Sequence, residues 1–153
     1  MIADMKHVLV SAKNPKGVGL AGPQAGFPYQ IFLTKPTDKD VIRVFINPKI
    51  LASSKNMTKS VPERENKLEG CLSIPTVWGQ VKRHESLTLQ YQDEQGTLHE
   101  ETFSGFLATI IQHETDHVNG ILFTHRVLEQ KGKFYQTARD EKGKEVLEEL
   151  VLK

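Results

Sequence analysis

Hydrophobic and polar positions alternate most cleanly between Ser86 and Gln92, where Leu87, Leu89 and Tyr91 share one face. Period-two alternation predicts a half-buried strand. Asp93-Glu94-Gln95-Gly96 supplies turn chemistry, and residues 97–103 (TLHEETF) return as the partner strand of a hairpin. Two further β-rich runs, residues 29–34 and 41–46, flank a Lys/Pro/Asp segment and predict strand–loop–strand, with Asn47-Pro48 as punctuation. After Ser104, a suitable N-cap, the pattern predicts a helix over residues 105–119, with Gly120 as its C′ residue.

The remaining segments carry less pattern. Residues 4–12 predict a short helix with Asp4 as N-cap, residues 121–123 (ILF) a short strand, and residues 53–68 a solvated loop with a mild basic tilt. In the tail, Asp140 to Gly143 suits the turn of a hairpin between residues 134–139 and 145–152. Its Glu and Lys residues would also suit a helix, and the hairpin is the reading preferred. Together these elements predict an α+β fold with antiparallel or mixed sheets surrounding one central helix. No internal repeat or low-complexity tract is present.

Composition narrows the function classes. A chain of 153 residues predicts one domain over residues 1–153, able to bury about 68–70% of its unfolded surface without disulfides. A formal net charge of +1 argues against sequence-specific nucleic-acid binding, which calls for a basic excess. The N-terminal apolar run Val8-Leu9-Val10 is too short for a signal peptide, and no run approaches the ~18 apolar residues of a spanning helix. The lone cysteine, Cys71, can form no intramolecular disulfide. A reducing, cytoplasmic setting without membrane contact is therefore expected.

The expected helix carries His113-Glu114-Thr115-Asp116-His117, an H-E-x-x-H. Imidazoles at i and i+4 lie one turn apart on one face and can reach a single metal ion. Phe106 and Ile110 extend the same stripe backwards, while Leu107, Ile111, Glu114 and Val118 form the adjoining line. The motif arises by chance in about one chain of this size in a hundred, as an exposed His/Glu face. The apolar residues on the stripe argue instead for burial, where His and Glu need partners. Cys71 is a candidate third ligand, although a lone cysteine is often just a small buried residue. Cys-His-His would leave open the coordination position that catalytic sites keep.

Three blocks then stand in order: GVGLAGPQ at 17–24, EGCLSIP at 69–75 and QHETDHVNG at 112–120. Together they resemble the signature of peptide deformylases, over residues 17 to about 126. The resemblance implies Cys71, His113 and His117 as metal ligands and Glu114 as the proton-transferring carboxylate. It implies Gln24 and the backbone N–H of Leu72 as donors to the reacting oxygen, with Val18 and Gly19 offering backbone hydrogen bonds to an extended substrate. Glu69 and Gly70 fall with the substrate, and Phe106 and Ile110, opposite Val18 and Leu72, with a methionine side chain.

The implied reaction removes the N-formyl group from the formylmethionine of newly made polypeptides and releases formate. A water activated at the metal would attack, with Glu114 as general base and acid. The implied cofactor is one divalent ion, Fe(2+) expected, with Zn(2+), Ni(2+) or Co(2+) as substitutes. The implied partner is the nascent N-formylmethionyl chain, with transient ribosome contact.

Departures from the family pattern are Gly22 for Ala, Val118 for Leu, and Trp78 where many relatives carry a substrate-contacting Arg. The lead before the first block is shorter than the family norm, which implies a trimmed or minimal N-terminus. Arg83 and Asp116 are expected to pair behind the helix. Two competing readings are a zincin-type protease, which would lack the Cys ligand and the GVGLAGPQ block, and a degenerate homologue, which would be expected to lose Glu114 or Gln24.

Overall fold

A computed structural model describes residues 1–13, 16–59 and 68–151. The chain opens with α1 (Ile2–Ser11), β1 (Gly19–Ala21), a 3₁₀ turn (Gly22–Ala25), β2 (Ile31–Thr34) and β3 (Arg43–Ser53). Short strands follow: β4 (Met57–Lys59), β5 (Glu69–Cys71), β6 (Ile74–Gly79) and β7 (Lys82–His84). The hairpin β8 (Ser86–Gln92) and β9 (Leu98–Ser104) leads into α2 (Gly105–Val118), α3 (Phe123–Glu129) and a last hairpin, β10 (Phe134–Arg139) and β11 (Glu145–Leu150).

The strands form a five-stranded sheet in the order β1-β2-β3-β8-β9, a four-stranded sheet β11-β10-β6-β5 and a two-stranded β4-β7 pair. Every pairing between these strands is antiparallel. In the large sheet Phe45 stacks on Phe32 at 4.9 Å between ring centroids and meets Tyr91 at 4.6 Å and Phe103 at 5.8 Å. Ala108, Ile111 and Val118 of α2 pack on this aromatic cluster. Met5 and Leu9 of α1 cover a second cluster with Leu20, Ile31, Leu33 and Val44. A third joins Cys71 and Val81 to Phe123 and Val127 of α3 and Phe134 of β10. Residues 108–118 of α2 are all buried, so the metal-motif helix is the centre of the α+β arrangement. Among the described residues, no helix is long and apolar enough to cross a membrane.

Several local expectations shift. The first helix begins at Ile2 with Met1 as N-cap, so Asp4 sits within its first turn, 3.7 Å from the N-terminal ammonium. Tyr29 and Gln30 form a turn, with the Ile31 N–H donating to the Tyr29 carbonyl, and β2 starts only at Ile31. Asn47-Pro48 does not end the next strand. The register shifts between Ile46 and Lys49, Asn47 takes φ 52°, and β3 continues to Ser53. A bulge is one of the few places where a strand tolerates proline, which has no N–H for the ladder.

The expected loop at 53–68 contains strand β4, paired with β7, while residues 60–67 lie outside the described residues. Residues 121–123 are not a strand. Leu122 is extended (φ −95°, ψ 155°) and caps α3, its N–H donating to His125 Nδ1 at 3.0 Å, and Phe123 begins the helix. The tail is the expected hairpin. Asp140 accepts backbone N–H bonds from Lys142 and Lys144, both at 2.9 Å, and Gly143 takes φ 76°. Ser104 occupies the N-cap of α2, although its hydroxyl makes no capping bond, and Gly120 takes φ 78° beyond the helix end.

Candidate metal centre

Cys71, at the end of β5, projects against α2 where His113 and His117 emerge one turn apart. All three are buried, and their ligand atoms lie within 4.8 Å of one another. Cys71 Sγ is 3.2 Å from His117 Nε2, which is 3.1 Å from His113 Nε2. Protons alone make this cluster awkward, since two converging Nε2 atoms and a sulfur compete for few hydrogens. One divalent cation would satisfy all three, and the N₂S donor set suits a transition metal. Beside them Glu114 is buried, its Oε2 has no hydrogen-bond partner among the described residues, and its Oε1 is 3.9 Å from His113 Nε2. The residues present therefore fit a metal ion with a carboxylate alongside.

A buried charge network orients the ligands. His113 Nδ1 hydrogen-bonds Glu69 Oε1, which leaves Nε2 facing the other donors. Arg83 grips Glu69 through Nε at 3.1 Å and Nη2 at 2.6 Å, and reaches Asp116 Oδ2 through Nη1 at 2.7 Å. The expected Arg83–Asp116 pair is thus present, and Arg126 of α3 extends it, donating to Asp116 Oδ1 at 2.9 Å and to the shared Oδ2 at 3.1 Å. Both Glu69 oxygens are engaged by Arg83 and His113. Glu69 lines the cavity, and its carboxylate is committed to Arg83 and His113.

Protonation follows from this packing. Burial would raise the Glu69 pKa, but Arg83 and then His113 outweigh it and hold the carboxyl down at about 2. Burial pushes Glu114 up to about 7, against the pull of His113 and His117. Burial would also raise the Cys71 thiol, yet hydrogen bonds with His113 and His117 bring it down to about 5, favouring thiolate. His113 is raised to about 10, because Glu69 and then Cys71 overcome the desolvation that would lower it.

The other expected residues converge on the same cavity, with differences. Gln24, in the 3₁₀ turn, accepts the Ala21 N–H at 2.9 Å through Oε1, which aims its Nε2 at Cys71 Sγ (3.3 Å) and Ser73 Oγ (3.0 Å). Val18, Gly19, Gln24, Glu69, Gly70, Leu72 and Ile110 all line the cavity. Phe106, half-buried in the first turn of α2, is not among the lining residues.

The Val18 carbonyl is committed to the Lys35 N–H at 2.7 Å. Neighbouring residues of an edge strand point their backbone groups in opposite directions, so Gly19 is the position that turns toward the cleft. A Cβ on Gly19 would stand 2.7 Å from Glu114 Oε1, and one on Gly70 would stand 2.5 Å from the Trp78 ring. Sequence reasoning missed Lys16 and Thr109 on the cavity wall. Thr109 lies four residues before His113, and the helical period already places it there.

A Cys-His-His donor set on an H-E-x-x-H helix, with a buried carboxylate and a cleft beside a strand edge, is a site that could hold a metal ion and is built as hydrolase centres of that kind are. The family model for polypeptide deformylase matches residues 1–133, and the chain belongs to that family. The peptide deformylase of Christiangramia forsetii is 38% identical over 148 residues, covering 86% of this chain and 72% of that protein. That of Pseudothermotoga lettingae is 42% identical over 122 residues, covering 80% of this chain and 66% of that protein. Among solved structures, a class I type b peptide deformylase from Acinetobacter baumannii bound to K1U superposes with a TM-score of 0.70 at 38% identity, over 82% of this chain and 78% of that one. The Synechococcus elongatus peptide deformylase in complex with actinonin gives 0.72 at 37% identity, over 82% and 65%.

Proposed function

We propose that this chain removes the formyl group from N-formylmethionyl peptides at the Cys71–His113–His117 centre, acting as one catalytic domain over residues 1–153. The observation that carries the reading is the convergence of those three donors beside Glu114, whose buried Oε2 has no hydrogen-bond partner among the described residues. A zincin-type protease is disfavoured by the cysteine donor and by the Gln24 amide aimed at it.

Formamide hydrolysis needs an activated water, stabilisation of the developing oxyanion and protonation of the departing amine. A divalent ion held by Cys71 Sγ and the two Nε2 atoms would supply Lewis acidity and a nucleophile at neutral pH. Glu114 takes the proton of the attacking water and hands it to the amine nitrogen, a role supported by its burial beside the three donors, which disfavours a permanently charged carboxylate. Gln24 Nε2, held by the Ala21–Gln24 bond, donates to the oxyanion, and the Leu72 N–H is assigned as the second donor. Gly19 offers the backbone edge to the peptide, and Ile110, Val18 and Leu72 receive the methionine side chain.

Fe(2+) is the metal proposed, with Zn(2+), Ni(2+) or Co(2+) accepted by the same donors. A buried thiolate donor is best kept in a reducing compartment, which supports a cytoplasmic location, where transient ribosome contact would deliver nascent chains. The test compares formyl-Met-Ala-Ser with acetyl-Met-Ala-Ser and unmodified Met-Ala-Ser. Release of formate alone supports the assignment, whereas cleavage of the internal peptide bonds would replace it with a protease.

A further inference from the structure

One residue lining the cavity is a lysine that the reaction leaves unused. Among the described lining residues, Lys16 is the sole lysine or arginine, and it lines the cavity together with Val18, Gly19, Gly70 and Leu72. Its position is fixed at the backbone. The Gly17 N–H donates to the Ala12 carbonyl at 3.2 Å, and a Cβ on Gly17 would stand 2.3 Å from the Leu9 carbonyl, so this segment is pressed onto α1.

The ammonium is held by Asp38 at 2.6 Å, in the loop between β2 and β3. That loop is itself organised: Lys35 Nζ donates to the carbonyls of Thr37, Asp38 and Asp40 at 3.4, 3.0 and 2.7 Å. Asp40 Oδ2 in turn accepts from the Thr37 N–H at 2.9 Å and hydroxyl at 2.7 Å. Both partners of the Lys16–Asp38 pair are solvent-exposed, with side chains 54% and 77% accessible. Exposed pairs add little net stability because water and salt screen them, so another carboxylate can displace Asp38 at small cost.

We propose that Lys16 is a specificity-determining residue that binds an acidic side chain at the third or fourth position of the formylated peptide, with Asp38 occupying the ammonium in the free protein. The inference rests on the proposed use of the cavity by formyl peptides. Gly19 abuts Glu114, where the formyl carbon reacts, and Lys16 lies three residues earlier, at most about 10 Å away along the chain. A peptide laid along this edge at about 3.3 Å per residue reaches Lys16 around its fourth residue, and the long lysine side chain widens that to the third.

The experiment measures formate release from formyl-Met-Ala-Asp-Asp-amide, formyl-Met-Ala-Gln-Gln-amide and formyl-Met-Ala-Lys-Lys-amide, the amide removing the terminal carboxylate. The expected order is acidic, then neutral, then basic, each step about two- to fivefold in kcat/KM and carried by KM. Lys16→Glu reverses the order, Asp38→Asn steepens it, and raising salt to 0.5 M flattens it. A merely stabilising Lys16–Asp38 pair would change melting temperature without making KM depend on peptide charge. Equal kcat/KM for the three peptides, or an order unchanged in Lys16→Glu, overturns the inference while leaving deformylation intact. Absence of turnover with every peptide would instead overturn the proposed activity. Calorimetric titration of the same peptides into metal-loaded Glu114→Gln protein then still decides the inference, by the order of Kd or by its absence.

Discussion

Glu69 and Arg83 form a two-bond ion pair of 2.6 and 3.1 Å, both side chains about 5% exposed or less, directly behind the metal-motif helix. Glu69 holds His113 Nδ1 while Arg83 holds Asp116, so one buried cation ties β5 and β7 to both flanks of α2. Removing it would leave the buried Glu69 with His113 alone as its partner, while Arg126 would still hold Asp116. Arg83→Leu is expected to cost about 3–5 kcal/mol of stability and about 10–100-fold in metal affinity. Denaturant unfolding of the metal-free protein and a competitive chelator titration check the two effects separately. Arg83→Lys is expected to recover little, because an ammonium cannot reproduce the forked geometry.

The same centre gives the metal-free protein two opposite pH dependences. Glu69 is lowered in the folded state, to about 2 from an ordinary 4.5, so its contribution is complete above pH 4.5 and is lost as pH falls toward 2. Glu114 is raised, to about 7 from 4.5, so the folded state holds the extra proton and Glu114's own contribution declines as pH rises from 4.5 to 7, against the opposite contribution of the Cys71 thiol, which is lowered from 9 to about 5. Urea unfolding across pH 3–8 is expected to show Glu69→Gln flattening the acid limb and Glu114→Gln gaining stability relative to the parent as pH rises from 4.5 to 7. A Glu114→Gln curve parallel to the parent's between pH 4.5 and 7 would contradict the buried, proton-holding carboxyl.

Gly19 leaves Glu114 room on the side of β1. A methyl group there would sit 2.7 Å from Glu114 Oε1 and 2.9 Å from Ile110 Cγ2, both closer than real Cβ contacts allow. Gly19→Ala is therefore expected to lower kcat by tenfold or more, with about 1–3 kcal/mol of destabilisation from overpacking. Steady-state kinetics beside thermal melting separates the two. A fully active, equally stable variant would show that β1 can withdraw from the helix.

Thiolate ligation makes the proposed iron centre sensitive to oxygen. Protein prepared aerobically is expected to have lower specific activity than protein prepared without oxygen, and the deficit should shrink when both are reloaded with Zn(2+) or Ni(2+). Equal activity from the two iron preparations would argue against an iron-dependent site.

Much of this centre was legible in the sequence because its central element is regular. The H-E-x-x-H spacing, the run of apolar residues through Ile110 and Ile111, and the Ser104 and Gly120 boundaries specify α2 almost to the residue. The hairpins β8–β9 and β10–β11 were legible from alternation and turn residues at Asp93-Gly96 and Asp140-Gly143. Strands β5 and β7 were not, since three residues are too few to show a period, and β5 is dictated by pairing with β6. Residues 121–123 misled because a buried Phe123 at the head of a short helix reads locally like a strand residue. Lys16 escaped notice because a single charge in a Gly/Pro segment becomes significant only when the fold folds it over a cavity.

The most direct measurement of the central claim is formate release from formyl-Met-Ala-Ser by metal-loaded protein purified without oxygen, beside Glu114→Gln with matched metal content. The proposed mechanism predicts turnover in the parent and a loss of at least about 10²-fold in kcat in the variant, with the metal retained. A folded, metal-loaded parent that releases no formate, or a Glu114→Gln variant as fast as the parent, would contradict it.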